Sequence, residues 1–326
     1  MFVGNNGCGK TTFLEGLFCL CGATNPILSV NTNLFRGLDV VSNTVWRTFF
    51  RNCDTSNTIS IEGNYQTDIV RLNILPHQAQ KQSVKTSEVN KLISNGADYT
   101  KTKNEISGKP INGLTFQYSS QKSKSHQSDI FVEDDKLSFR EKAQVPINAI
   151  FVSAQKTSDA KNQFGEIQRQ KKKADIIKLL QELDSRIVDL SLNEISLIEA
   201  DIGLDYLIPV TLMGGGISKC LNIALSMYCY KDGIVIIDEI ENGLHYLAQN
   251  KIWEAIFAWA NKLNVQVFAS THSFECINAF YEASQSSLFE NDSKLFRIER
   301  DFDTFKCVEY KQEDLKTSIE NMWEVR

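Results

Sequence analysis

The chain has 326 residues, of which 42% are apolar and 23% charged, enough to bury one large core and too apolar for disorder to be the default. Its net charge of -5 excludes a strongly basic surface that coats nucleic acid, so any DNA contact has to be local. The eight cysteines (Cys8, Cys19, Cys21, Cys53, Cys220, Cys229, Cys276 and Cys307) show no CxxC pair and no histidine at zinc spacing, which reads as reduced, mostly buried thiols. No membrane span is expected, because the apolar run from Leu17 to Ala23 is far too short, and the cytoplasm is the expected location.

The chain opens on Gly4-Asn5-Asn6-Gly7-Cys8-Gly9-Lys10-Thr11, followed by Thr12. This matches G-x-x-x-x-G-K-[ST], in which glycines let backbone N–H groups converge on a β-phosphate. Lys10 would bridge β and γ oxygens, Thr11 would hold Mg²⁺, and Thr12 completes the cradle. Only Met1, Phe2 and Val3 precede the loop. A P-loop needs a parallel strand with neighbours to aim it, so the expectation is a shortened N-terminus lacking about two or three strands.

After the loop, Thr12 to Cys21 reads as a helix with Phe13, Leu14, Leu17, Phe18 and Cys21 on one side and Gly22 as its stop. Short alternating runs then recur from Thr58 to Arg140, from Ile59 and Ile61 through Leu137 and Phe139, and predict an antiparallel meander. The Gln-, Lys- and Ser-rich stretches 78–95 and 119–128 read as exposed loops or a short helical insert. Ala149 to Ala154 is a further strand, and Glu166 to Leu192 reads as one helix striped by Ile176, Leu180, Leu183, Ile187 and Leu190. Two heptads of stripe are too few for a long coiled-coil arm.

The last third alternates: a helix at Ser218–Tyr230, a strand at Gly233–Asp238, a helix at Leu244–Leu263, a strand at Val265–Ser270 and a helix at Ser273–Ala283. A hairpin, Leu295–Ile298 with Lys306–Tyr310, and a closing helix follow. The fold expected is α/β, with a parallel-sheet core, an antiparallel β meander and a helical lobe.

Three clusters in this last third carry chemistry. Asp238 and Glu239 end a hydrophobic strand, so both carboxylates meet the P-loop at the sheet's C-terminal edge. Asp238 would bind the Mg²⁺ shell, and Glu239 would act as general base toward the attacking water. His272 closes the next buried strand at the same edge and reads as a γ-phosphate sensor. Met213-Gly214-Gly215-Gly216-Ile217-Ser218 precedes a helix and so forms a second anion cradle, best explained as serving the ATP of a partner subunit.

In this order the elements resemble those of ABC-type ATPases, and more closely the prokaryotic AAA-family ATPases of the branch shared with SMC proteins and the OLD nucleases. The phrases that carry the likeness run from Ile237 to His245 and from Ser270 to Ser273, with Glu275. The resemblance implies a P-loop NTPase of ABC-ATPase head type and a head-to-head homodimer around two Mg-ATP. It also implies Glu241 to His245 as an interface D-loop, Gly214 to Ser218 as the trans-acting signature, Gln155 as the Q-loop residue, and Arg36 or Arg47 as the arginine found after Walker A. One ATPase domain is expected over 1–326. Its nucleotide-binding core covers 1–57 and 201–326, the meander with its polar insert 58–148, and the Q-loop strand and helical lobe 149–200.

Met213-Gly214-Gly215-Gly216 lacks the serine and glutamine of LSGGQ, which points to slow hydrolysis. Asp301-Phe302-Asp303 spells DxD but lies in a hairpin turn, so no nuclease activity is expected of this chain. The function expected is a regulatory ATPase acting through a separate effector, a nuclease or TOPRIM-like protein, in phage defence. The alternative is a DNA-repair or chromosome-associated ATPase that clamps DNA, using Lys171, Lys172 and Lys173.

Overall fold

The computed structural model describes residues 1–38, 43–78, 111–122, 125–133, 136–140, 147–153, 160–285 and 293–321. The chain forms two compact units, one of Met1–Gly22 with Val145–Arg326 and the other of Ala23–Gln144. Residues 23–57, expected with the nucleotide-binding core, group instead with the meander.

In the first unit the strands around the P-loop are β1 (Phe2–Val3), β7 (Ala149–Val152), β11 (Ile234–Ile237), β12 (Gln266–Ala269), β13 (Leu295–Asp301) and β14 (Thr304–Tyr310). β11 pairs in parallel with both β7 and β12, and β1 pairs in parallel with β13. A parallel bridge from Phe2 to Ser270, with Thr271 N–H donating to the Phe2 carbonyl at 3.1 Å, joins the two halves. The order is therefore β7-β11-β12-β1-β13-β14. Every residue of β11 is buried, as an all-apolar strand covered on both faces must be. Two neighbours of the short strand before the P-loop thus come from the last third of the chain. Phe2 is held there by its ring contacts with Phe13 and Phe296, at 4.5 and 5.5 Å between centroids.

Helix α1 (Lys10–Cys21) follows the loop, and α6 (Gly215–Cys229), α7 (Tyr246–Leu263) and α8 (Phe274–Ser284) connect the later strands, before α9 (Gln312–Glu320). The core gathers Phe164, Ile176, Leu180, Leu225, Met227, Ile256 and Phe280 around α6. Burying each large side chain is worth about 1.5–3 kcal/mol.

The single helix expected over 166–192 is not formed. Instead α4 (Ala160–Arg169) and α5 (Lys173–Gln181) are followed by a small antiparallel sheet of β8 (Asp189–Leu192), β9 (Ile198–Asp201) and β10 (Ile208–Pro209). Lys171 takes a left-handed conformation, φ 56°, that no helix interior accepts. Asp184 then accepts from the Arg186 N–H, the aspartate turn that turns the chain into β8. Ile187 and Leu190 are fully buried, so the apolar spacing was real but served a helix, a turn and a strand.

The second unit holds α2 (Ile27–Phe35), α3 (Asn43–Arg47) and the five-stranded meander β2 (Ile59–Tyr65), β3 (Asp68–Gln78), β4 (Ile111–Ser120), β5 (His126–Glu133) and β6 (Lys136–Arg140). Its strands pair in sequence order, all antiparallel. Leu72, Leu114, Phe116, Ile130 and Trp46 form its core. The loop expected at 119–128 is shorter than read, because β4 runs to Ser120 and β5 starts at His126; most of the stretch 78–95 lies outside the described residues. Among the described residues no helix is long and apolar enough to cross a membrane.

Candidate functional site

Gly4 is the pivot between β1 and the loop. Its φ is 142°, and a Cβ there would lie 2.4 Å from the Ile298 carbonyl oxygen, so only glycine lets β13 approach the loop this closely. The chain then turns, Cys8 N–H donating to the Asn5 carbonyl at 3.3 Å, and α1 starts at Lys10 with no side chain capping its first N–H groups. Those uncapped donors, with the positive end of the helix dipole, make an anion site. Lys10 is buried, and its Nζ donates to the carbonyls of Gly4 at 2.6 Å and Asn5 at 3.1 Å. The ammonium thus closes over the loop it would serve, one step from a phosphate held inside.

Thr11 Oγ1 lies 3.1 Å from each carboxylate oxygen of Asp238. Residues 227 positions apart therefore share one spot, as the sequence required if both were to reach a single ion. Ser270 Oγ donates to Asp238 Oδ1 at 2.6 Å and accepts from the Glu239 N–H at 2.9 Å. This serine fixes both acids at once. The sequence reading assigned it no role because it follows another strand, although its place just past β12 and beside His272 was a signal; β12, expected to be buried, is buried only at Ala269. The donor set suits Mg²⁺, which takes hard oxygens and keeps several waters and phosphate oxygens rather than needing a protein cage. Among the described residues no cluster of three His, Cys, Asp or Glu side chains forms such a cage.

Glu239 sits just past β11 in a left-handed conformation, φ 46°, costly for a non-glycine residue and typical of functional positions. Among the described residues no side chain or backbone group bonds its carboxylate. Next to it, Glu241 turns inward rather than outward. Its side chain is 9% exposed, and Oε1 accepts from the His272 backbone N–H at 2.8 Å and lies 2.9 Å from His272 Nδ1. Within the segment 241–245 that the resemblance implies as a D-loop, the side chain of Glu241 thus holds His272. His245 is likewise occupied, capping α7 by accepting from the Leu247 N–H.

The glycine run packs against this same turn. Gly214 precedes α6, whose first N–H groups have no side-chain cap, a second helix N-terminus of the anion-binding kind. Gly216 abuts Gly243, whose carbonyl oxygen would be 2.8 Å from a Cβ on Gly216. Ser218 is not turned outward; its hydroxyl donates to the Val210 carbonyl at 3.1 Å. The next residue, Lys219, is buried and its Nζ donates to the Asp238 carbonyl at 3.0 Å. Burial brings its pKa down to about 8, against the pull of Asp238, Glu241 and Glu239. The sequence reading did not single out Lys219, since lysine on a helix usually faces water.

Gln155 lies outside the described residues. Arg36 and Arg47 belong to the second unit, where Arg36 lies over the Phe49 ring. In the lysine run, Lys173 is engaged by Asp189 at 2.7 Å and the Leu190 carbonyl at 3.2 Å, leaving Lys171 and Lys172 exposed.

Comparison with known proteins finds several chains similar to this one. The chain is 23% identical over 350 residues to an ATP/GTP phosphatase of Helicobacter pylori, covering 98% of this chain and 92% of that protein. Among solved structures it is similar to an Smc head bound to the C-winged helix domain of ScpA, with 12% identity, TM-score 0.47, and coverage of 97% of this chain and 91% of that one. It is also similar to an Smc head with an extended coiled coil, bound to the C-terminal domain of ScpA and derived from Pyrococcus furiosus, with 9% identity, TM-score 0.47 and coverage of 98% and 92%. With residues 1–278 matching the family described as "AAA domain, putative AbiEii toxin, Type IV TA system", the chain belongs to that AAA-domain family.

Proposed function

We propose that this chain binds ATP with Mg²⁺ at the P-loop and hydrolyses it, Glu239 serving as general base. The observation that carries the reading is the 3.1 Å contact between Thr11 and Asp238, which joins the phosphate loop to the acid strand at a single point. When bound there, Mg²⁺ supplies charge neutralisation on the β- and γ-phosphate oxygens. Lys10 exchanges its two carbonyl partners for phosphate oxygens. Glu239 holds the attacking water and takes its proton, a step worth about a hundredfold or more. His272, braced by Glu241, turns its other ring nitrogen to the γ-phosphate. The relative named as an ATP/GTP phosphatase supports hydrolysis of a nucleoside triphosphate.

The active form is a homodimer in which Gly214, Gly215 and Gly216 of one copy cap the ATP of the other. The uncapped start of α6 supports this, as do the exposed Leu212, Tyr246 and Leu247 beside it, apolar surface of the kind a partner covers. Hydrolysis is slow, because the signature lacks the usual serine and glutamine and Ser218 faces inward. We place the chain in the OLD/SMC branch on residues 237–245, as a regulator of a separate effector in phage defence.

The test is a pair of variants. Lys10→Ala should abolish nucleotide binding. Glu239→Gln should keep ATP, accumulate dimer in size-exclusion chromatography and lose about a hundredfold or more in hydrolysis rate. Parental hydrolysis by Glu239→Gln would remove Glu239 as the base.

A further inference from the structure

We propose that the β13–β14 hairpin is the nucleoside platform of this site, with Arg300 and Phe305 stacking a purine base. The proposal rests on the Mg-ATP reading and deepens it. Asp238, Glu239 and His272 follow β11 and β12, both on one side of β1, so they fix where the γ-phosphate lies. A linear triphosphate gripped at its β-phosphate must then send its nucleoside the other way, toward β13.

A cleft of about 590 Å³ opens on that side, lined by Asn5 to Cys8 of the loop, by Arg297 to Asp301 of β13 and by Lys306 of β14. Its volume suits a nucleoside, since small-molecule pockets run from about 300 to 1,000 Å³. Arg300 is fixed at its rim. The guanidinium donates through Nε to the Phe302 carbonyl at 3.0 Å and through Nη1 to the Gly7 carbonyl at 3.4 Å. Its central carbon lies 5.7 Å from the centre of the Phe305 ring. That half-exposed ring lies over Gly9, 3.5 Å from where a Cβ there would be. A planar cation and an aromatic ring, both tied to the phosphate loop, are the surfaces on which bases stack.

The experiment titrates the full chain with Mg-ATP and, separately, with Mg-tripolyphosphate, which carries the phosphates without the nucleoside. The parent should bind ATP about tenfold or more tighter than tripolyphosphate, the scale of a single base stack. Arg300→Ala and Phe305→Ala should each weaken ATP by about tenfold while moving tripolyphosphate by less than about twofold. Arg300→Lys keeps the charge but loses the plane, so it should behave as Arg300→Ala does, and it guards against a folding defect in the larger deletion. Equal parental affinity for the two ligands, or variants that weaken both in proportion, would overturn the platform and leave the P-loop reading standing. A parent that binds neither ligand would overturn the Mg-ATP reading and the platform with it.

Discussion

One carboxylate oxygen of Glu241 holds His272 at two points, the backbone N–H at 2.8 Å and the ring Nδ1 at 2.9 Å. The ring nitrogen lies at ion-pair distance but off the line of a strong hydrogen bond, and Glu241 Oε2 is buried without a partner among the described residues. Such a clamp fixes where the His272 backbone and ring stand relative to the turn after β11. Glu241→Ala and His272→Ala should each lower kcat by about tenfold or more with little change in KM, and the double variant should be no slower than the slower single one. Steady-state kinetics on the three variants checks this. Effects that multiply would mean that the two residues act independently.

Ser270 holds Asp238 and the Glu239 backbone together. Loss of such an outer partner of a metal ligand costs about 10- to 100-fold in metal affinity. Ser270→Ala should therefore need about tenfold or more Mg²⁺ to reach half-maximal ATPase activity, while binding of ATP measured without Mg²⁺ stays close to parental. A Mg²⁺ titration of the two proteins decides it, and identical curves would leave Ser270 a structural residue.

The contact between the glycine run and the turn after Glu239 leaves little room for a methyl group. Gly243 has φ 79°, and a Cβ on it would lie 3.2 Å from the Gly215 carbonyl carbon. Gly243→Ala should lower stability by roughly 1–3 kcal/mol, the cost of a left-handed non-glycine residue plus the shift it forces. Urea unfolding measures this, and a midpoint equal to the parent's would show that the turn relaxes freely.

Lys219 gives a pH signature. Its folded pKa is lowered to about 8 from the ordinary 10.5, so between those values the unfolded chain keeps a proton that the folded chain has released. Where the unfolded state binds more protons, stability rises with pH. The burial cost is therefore fully present below pH about 8 and relieved as pH climbs toward 10.5. The buried thiols of Cys220 and Cys276, pushed up to about 12, act in the opposite sense above the usual thiol range, but equally in parent and variant. Unfolding free energies of the parent and of Lys219→Met across this window should diverge, the parent gaining relative to the variant as pH rises. Parallel curves would refute the assignment.

The parts of the site legible in the sequence were those whose meaning is local. The P-loop is a contiguous motif whose glycines and following helix state their own geometry, and Asp238 and Glu239 announce themselves at the end of an all-apolar strand. Ser270, Lys219 and the inward turn of Glu241 were not legible, because each acts across strands or helices that the chain visits 19 to 32 residues apart. The helix read over 166–192 failed for a related reason. A spacing of three and four fits a helix, but Lys171 and Asp184 break the backbone between its members while tertiary packing buries them all the same. The meander succeeded because period-two alternation leaves little other choice.

The strand that aims the P-loop is completed by residues far along the chain. Phe2 and Val3 align with Phe296 and Arg297, a separation near the full length of the chain, and contacts so distant form late because a large loop must close first. During synthesis the phosphate loop leaves the ribosome well before β13, which is not there to pair beside it until about 290 further residues have been made. A nascent chain therefore carries the P-loop motif long before the strand that aims it has its neighbour, so the geometry of the loop arrives only with that distant partner.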